Sequence, residues 1–236
     1  MSNYSWQRLG AASGILYVVL LLGPDVILRG LEEGPTMTTA DAIAHACATT
    51  TAAQFTDGII PILHRLGYFF FLFFLGSLWS TLRRAEGDDG WLSTAAFGGG
   101  LVYLAILFSG DTAGAAAARS ACAGIDPRLW QVLDNIGSAS FFESFIPLAL
   151  LSAASAVVAI RFGALPRWLG WMSAVVAVVM LVDGFAWTIY TRNVGANYVL
   201  FMLWVLVTSV VLIRRVGKPL PTVISAPHTS PAHETR

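Results

Sequence analysis

An all-α bundle of six membrane-spanning helices is the fold the sequence predicts, and three observations carry that expectation. Of 236 residues, 56% are hydrophobic and only 12% charged, and the mean hydropathy is +0.68, too apolar for an ordinary water-soluble domain. The apolar residues fall into six stretches, each near the roughly 20 residues an α-helix needs to cross a hydrocarbon core. Arginines gather at the ends of those stretches, as loop charges do in multi-pass proteins. The formal net charge of zero hides that uneven distribution. It forms no basic patch of the kind that binds phosphate backbones, so no nucleic-acid partner is expected.

The first span runs from Leu9 to about Leu28, led by Arg8 and passing Gly10 and Gly14. Gly23-Pro24-Asp25 followed by further apolar residues fits a retained helix better than a cleaved leader. A longer connection follows. Within it, Thr39 as N-cap with Asp41 in the first turn predicts a short helix lying on the membrane surface. The second span, Ile59 to about Leu82, holds the strongest apolar run, Phe69 to Leu75. Its start is polar (Asp57, Pro61, His64, Arg65), and Arg83 and Arg84 close it. The third span, about Trp91 to Ala118, offers Gly98-Gly99-Gly100 as a surface for close helix approach and carries Asp111 near its far end. The fourth is read as one helix from about Leu133 to Ile160, entered by an interfacial turn around Trp130, the fifth from Trp168 to about Tyr190, and the sixth from Asn197 to Ile213. Residues 1–213 thus form one transmembrane domain, and 214–236 read as a polar, proline-rich, disordered cytoplasmic tail.

Charge gives the expected orientation. Arg8, Arg83, Arg84, Arg161, Arg167, Arg214, Arg215 and Lys218 fall on one side, against Arg29, Arg65, Arg119, Arg128 and Arg192 on the other. The richer side is cytoplasmic by the positive-inside rule, which puts both termini inside. Cys47 and Cys122, the two cysteines of the chain, then lie in outer connections, where disulfides persist. A bridge between them and a pair of small buried thiols are both open readings.

The candidate site centres on Phe141-Phe142-Glu143-Ser144-Phe145-Ile146-Pro147 in the fourth span. A carboxylate inside a bilayer normally faces a partner or a cavity, and Pro147 cannot donate to the Glu143 carbonyl, so two kinds of oxygen are available at one level. Counted along the helices, Asp25, His64, Asp111, Glu143 and Asp183 all lie roughly 22 to 30 Å from the cytoplasmic ends. That predicts a polar pocket opening outward. Glu143, Asp183, Asp111 and His64 are the candidate acid–base groups, with Arg65, Asp25, Phe141, Phe142, Phe145, Trp187 and Tyr190 as candidate substrate contacts. The plainer readings are that Asp25, Asp57, Asp111 and Arg65 end their helices in water, and that Glu143 and Asp183 pair with Arg65 or His64 for structure alone. His45, His64, His228 and His233 lack metal-ligand spacing. Ser109 and Ser138 form no nucleophile arrangement with a histidine, and no phosphate-cradling glycine loop exists. No metal or cofactor is expected.

Arg161-Phe162-Gly163-Ala164-Leu165-Pro166-Arg167-Trp168-Leu169-Gly170-Trp171, then a small-residue helix with Asp183-Gly184, resembles a family of uncharacterised bacterial six-helix integral membrane proteins. Arg65-Leu66-Gly67 and the Gly10-to-Tyr17 stretch are similar to the same family. The resemblance implies a fold and a bacterial inner-membrane location, and no activity. Two function classes fit the residues. One is an enzyme in which a carboxylic acid protonates a lipophilic small molecule while aromatic faces stabilise positive charge, the logic of isoprenoid cyclisation. The chain is similar in kind and size to small integral-membrane terpene cyclases. The other is a proton-coupled carrier or resistance protein, for which six helices suffice in a homodimer, although no inverted repeat stands out. A scaffold without ligand is a third reading. Membrane lipids and a lipophilic small molecule are the expected partners.

Overall fold

The computed structural model describes residues 3–24, 38–47, 51–87, 90–186 and 197–215, with side chains described from Arg8 onward except at 45–46 and 51–58. Helix dominates these residues, and none of them forms a strand. In chain order the helices are α1 (Asn3–Pro24), α2 (Thr39–Cys47), α3 (Thr51–Glu86), α4 (Trp91–Ala121), α5 (Pro127–Glu143), α6 (Phe145–Phe162), α7 (Arg167–Ala186) and α8 (Tyr198–Arg215). Among the described residues five segments are long and apolar enough to cross a membrane: Ile59–Glu86, Trp91–Ala121, Pro127–Phe162, Arg167–Ala186 and Tyr198–Arg215. The apolar stretch of α1, Arg8–Pro24, is shorter. The outward faces are apolar as well, with Ile62, Leu66, Phe69 and Phe73 exposed along α3 and Val175, Val178, Val182 and Phe185 along α7. Water would penalise so much exposed hydrocarbon, whereas lipid tails would not.

Neighbouring helices close a ring, α1 on α3, α3 on α4, α4 on α6, α6 on α7, α7 on α8 and α8 back on α1, while α2 and α5 pack against α4 at one end. Glycines permit the tight crossings. A Cβ added at Gly99 would stand 2.7 Å from the Pro147 carbonyl oxygen of α6, and one at Gly100 would stand 2.6 Å from Leu75 Cδ1 of α3. Gly98 faces open space, so the expected glycine surface consists of Gly99 and Gly100. Inside the ring runs an aromatic core: Tyr17, Phe71, Phe74, Tyr103, Phe201 and Trp204 are fully buried. The indole N–H of Trp204 donates to Ser173 Oγ at 2.7 Å, which satisfies its one donor inside the apolar core.

Local chemistry moves several expected boundaries. α3 begins at Thr51 and passes straight through Pro61, because a helical proline removes one hydrogen bond and does not by itself end a helix. α5 begins at Pro127, six residues before the expected start of the fourth span, because Asp126 caps it: Asp126 Oδ1 accepts from Arg128 N at 2.7 Å and Leu129 N at 3.4 Å. The fourth span is also two helices rather than one. The break falls at Ser144, where Pro147 offers no N–H to the Glu143 carbonyl and the Ser144 hydroxyl donates to the Phe141 carbonyl at 2.6 Å. The cap of α2 is Thr38, not Thr39. Its hydroxyl accepts from Asp41 N at 3.2 Å, as an N-cap does, and donates to Asp41 Oδ2 at 2.6 Å. α8 continues to Arg215, whose guanidinium donates to the Ala164 carbonyl at 2.8 Å and ties it to the α6–α7 turn. Residues 216–236 lie outside the described residues.

Cys47, at the end of α2, and Cys122, at the C-cap of α4, form a disulfide with Cα atoms 5.2 Å apart across a sequence separation of 75. Replacing both by Ser is expected to lower stability by about 2 to 4 kcal/mol, chiefly by freeing the unfolded chain. Thermal unfolding of the purified protein with and without reductant measures this. Free thiols at both positions in freshly isolated, alkylated membranes would refute the bridge.

Candidate functional site

A cavity of about 290 Å³ lies between α1, α3, α4, α5 and α8, toward the end of the bundle that carries the disulfide. Each helix contributes one face. His64 and Tyr68 project together from α3 because they are one turn apart, and Leu107, Gly110 and Asp111 do so from α4. Gly137, Ser140 and Phe141 form the α5 wall. Gly110 makes that wall close, since a Cβ there would stand 2.7 Å from Ser140 Cβ. The Asp111 carboxyl is half-buried, interacts with the Tyr68 side chain, and lies in the field of His64 and Arg65. One carboxyl, one imidazole and one phenol thus converge on a cavity with aromatic walls.

Behind that cavity is a buried polar cluster. The hydroxyls of Tyr17 (α1), Tyr103 (α4) and Tyr198 (α8) are mutually hydrogen-bonded, Tyr17 to Tyr103 at 2.6 Å, Tyr17 to Tyr198 at 3.0 Å, and Tyr103 to Tyr198. Three phenols arranged this way satisfy one another, each donating once and accepting once around the ring. Tyr198 belongs to both structures, since it also lines the cavity. Phe145 stacks on Tyr198 with centroids 5.9 Å apart and planes at 8°, and Phe141 meets it edge-on at 5.1 Å.

The sequence-derived candidates divide. Asp111, His64 and Phe141 line the cavity; Phe145 is fully buried behind it; Arg65 is exposed at its edge, within electrostatic reach of Asp111. Phe142 packs against the core and contacts Phe141 and Phe145 without lining the cavity. Glu143, the expected centre, is exposed and does not line the cavity. The reason is helical phase: two residues beyond Phe141, it points roughly 200° away around α5. Asp183 is buried, but its environment is a separate one. It accepts from Asn197 Nδ2 at 3.1 Å, its second oxygen has no hydrogen-bond partner among the described residues, and neighbouring Gly184 packs on Ile146. The expectation that Glu143 and Asp183 share one cavity is therefore corrected. Asp25, Trp187 and Tyr190 lie outside the described residues. Among the described residues no group of three His, Cys, Asp or Glu side chains is placed to hold a metal ion.

The tyrosines were not legible in advance. Partners separated by 86, 95 and 181 residues leave no local pattern. The one available signal was the i,i+4 spacing of His64 and Tyr68. No protein-family model, curated protein or solved structure matches the chain.

Proposed function

We propose that this chain is a six-span membrane protein, with both termini cytoplasmic, whose cavity binds a lipophilic small molecule and performs acid–base chemistry on it. The observation that carries this reading is the convergence of Asp111, His64 and Tyr68 on a cavity walled by Phe141 and Tyr198. Asp111 takes the role of proton donor, with Tyr68 orienting its carboxyl, and His64 accepts the proton the cyclised product loses and returns it to Asp111. Phe141 and Tyr198 present ring faces and edges to the bound molecule, and ring faces stabilise positive charge that develops in a hydrocarbon. Protonation of an isoprenoid double bond, followed by cyclisation and proton loss, is the reaction class these groups suit.

A proton-coupled carrier would use the same carboxyl. The enzyme reading is favoured because, among the described residues, the ring's interior is filled by the fully buried aromatic side chains of Phe71, Phe201 and Trp204.

The test is retention of a ligand. Protein purified in mild detergent is expected to carry a lipophilic molecule detectable by mass spectrometry of the organic extract, and Gly137→Leu is expected to abolish that retention. Gly137 suits the purpose: it lines the cavity, and a Cβ there comes no closer than 3.5 Å to another helix. Equal retention by the native and Gly137→Leu proteins would overturn the assignment of this cavity as the binding site.

A further inference from the structure

Farther along α3, from roughly 8 to 24 Å beyond His64 by helical rise, lies a surface the cavity does not use. A groove of about 570 Å³ runs between α1 and α3, floored by Gly10, Ser13, Gly76 and Ser77 and walled by Leu16 and Phe73. Its floor is less polar than its serines suggest. Ser13 Oγ donates to the Gly10 carbonyl at 2.6 Å and Ser80 Oγ to the Ser77 carbonyl at 3.0 Å. Leu16 and Phe73 are exposed on its rim, so it opens sideways toward lipid.

At Ser80 the groove meets a second recess of about 460 Å³, formed by Trp79, Arg83, Arg84 and Gly87. This recess is cationic. The Arg83 guanidinium sits 5.6 Å from the Trp79 ring centroid, which fixes it at the edge of the apolar zone. Glu86, the nearest acid in sequence, accepts from the N–H groups of Leu92 and Ser93 of α4 at 2.8 Å each and also lies in the field of Arg83, so that one carboxylate stands beside Arg83 and Arg84. Arg8 is exposed at this same level, because Gly10 of α1 packs on Ser77 of α3.

We propose that the groove and recess together bind one anionic phospholipid, with an acyl chain lying between α1 and α3 and the phosphate against Arg83 and Arg84. Continuity through Ser80 and charge complementarity commit the surface to that occupant. An acyl chain needs an apolar trough beside hydrocarbon, and a phosphodiester needs basic side chains at the membrane interface. Small residues on the floor let the chain sink between the helices.

Native mass spectrometry of the full chain, incubated with equal amounts of phosphatidylglycerol and phosphatidylcholine, tests this. One phosphatidylglycerol is expected to be retained preferentially. Arg83→Gln with Arg84→Gln is expected to lower that preference roughly thirtyfold, since each basic residue near the surface contributes about a factor of five. Gly76→Leu is expected to remove bound lipid altogether while leaving thermal stability intact, because a Cβ at Gly76 meets nothing within 4 Å. Equal retention of the two lipids, retention unchanged by Gly76→Leu, displacement by inorganic phosphate alone, or a second copy of the chain filling the groove would each overturn the proposal.

Discussion

Gly99→Ala is expected to destabilise the bundle by about 3 kcal/mol or more, while Gly98→Ala, one residue away, leaves stability unchanged or slightly raised. Both replacements add one methyl group to the same helix. At Gly99 that methyl would stand 2.7 Å from the Pro147 carbonyl oxygen and 3.0 Å from the Leu151 nitrogen. These are backbone atoms of α6 and cannot rotate away as a side-chain tip could. Accommodation requires α4 and α6 to separate, which loosens Leu104, Leu148 and Leu151 around the crossing, and overpacking of this kind costs about 1 to 3 kcal/mol even where side chains can adjust. At Gly98 the methyl meets open space, and alanine gains helix propensity over glycine. Unfolding of both variants in detergent, followed by circular dichroism, measures the contrast. Equal stability of the two would mean that α4 and α6 do not cross at this register.

That contrast also marks how far the sequence could be read. Gly98-Gly99-Gly100 announced a close helix approach, because three adjacent glycines have little other use inside a span, yet which glycine bears the contact depends on how α4 is rotated. The same gap separated the expected site from the observed one. Helix positions were legible from apolar length, whereas the Asp126-Pro127 cap that starts α5 went unread. Counting turns puts Asp111 and His64 at similar distances along their spans, and both line one cavity. Rotation was not legible. Glu143 looked central because it stood among Phe141, Phe142 and Phe145, but successive residues on a helix face different directions, and the turn that puts Phe141 on the cavity puts Glu143 outside. Pro147 withholds one N–H from the Glu143 carbonyl, and the helix breaks there, ending α5 at Glu143 without aiming that side chain inward.

Asp111→Asn is expected to reduce turnover of the retained lipophile by about 10² to 10⁴-fold, the usual worth of a positioned proton donor, while the purified protein keeps its fold and its ligand. Asparagine preserves the shape of the side chain and can still accept from Tyr68, so the cavity between α3, α4 and α5 keeps its form. What it loses is an exchangeable carboxyl proton. Glu143→Gln is the informative companion, since an exposed carboxylate outside the cavity is expected to leave turnover unchanged. A purely structural Asp111 would behave otherwise. Its removal would take a partner from His64 and lower stability, and a second change, His64→Gln, would restore the loss. Thermal stability of Asp111→Asn alone and combined with His64→Gln therefore separates the two roles: an early-unfolding single variant rescued by the double makes Asp111 a structural partner, and full stability with lost turnover makes it the acid.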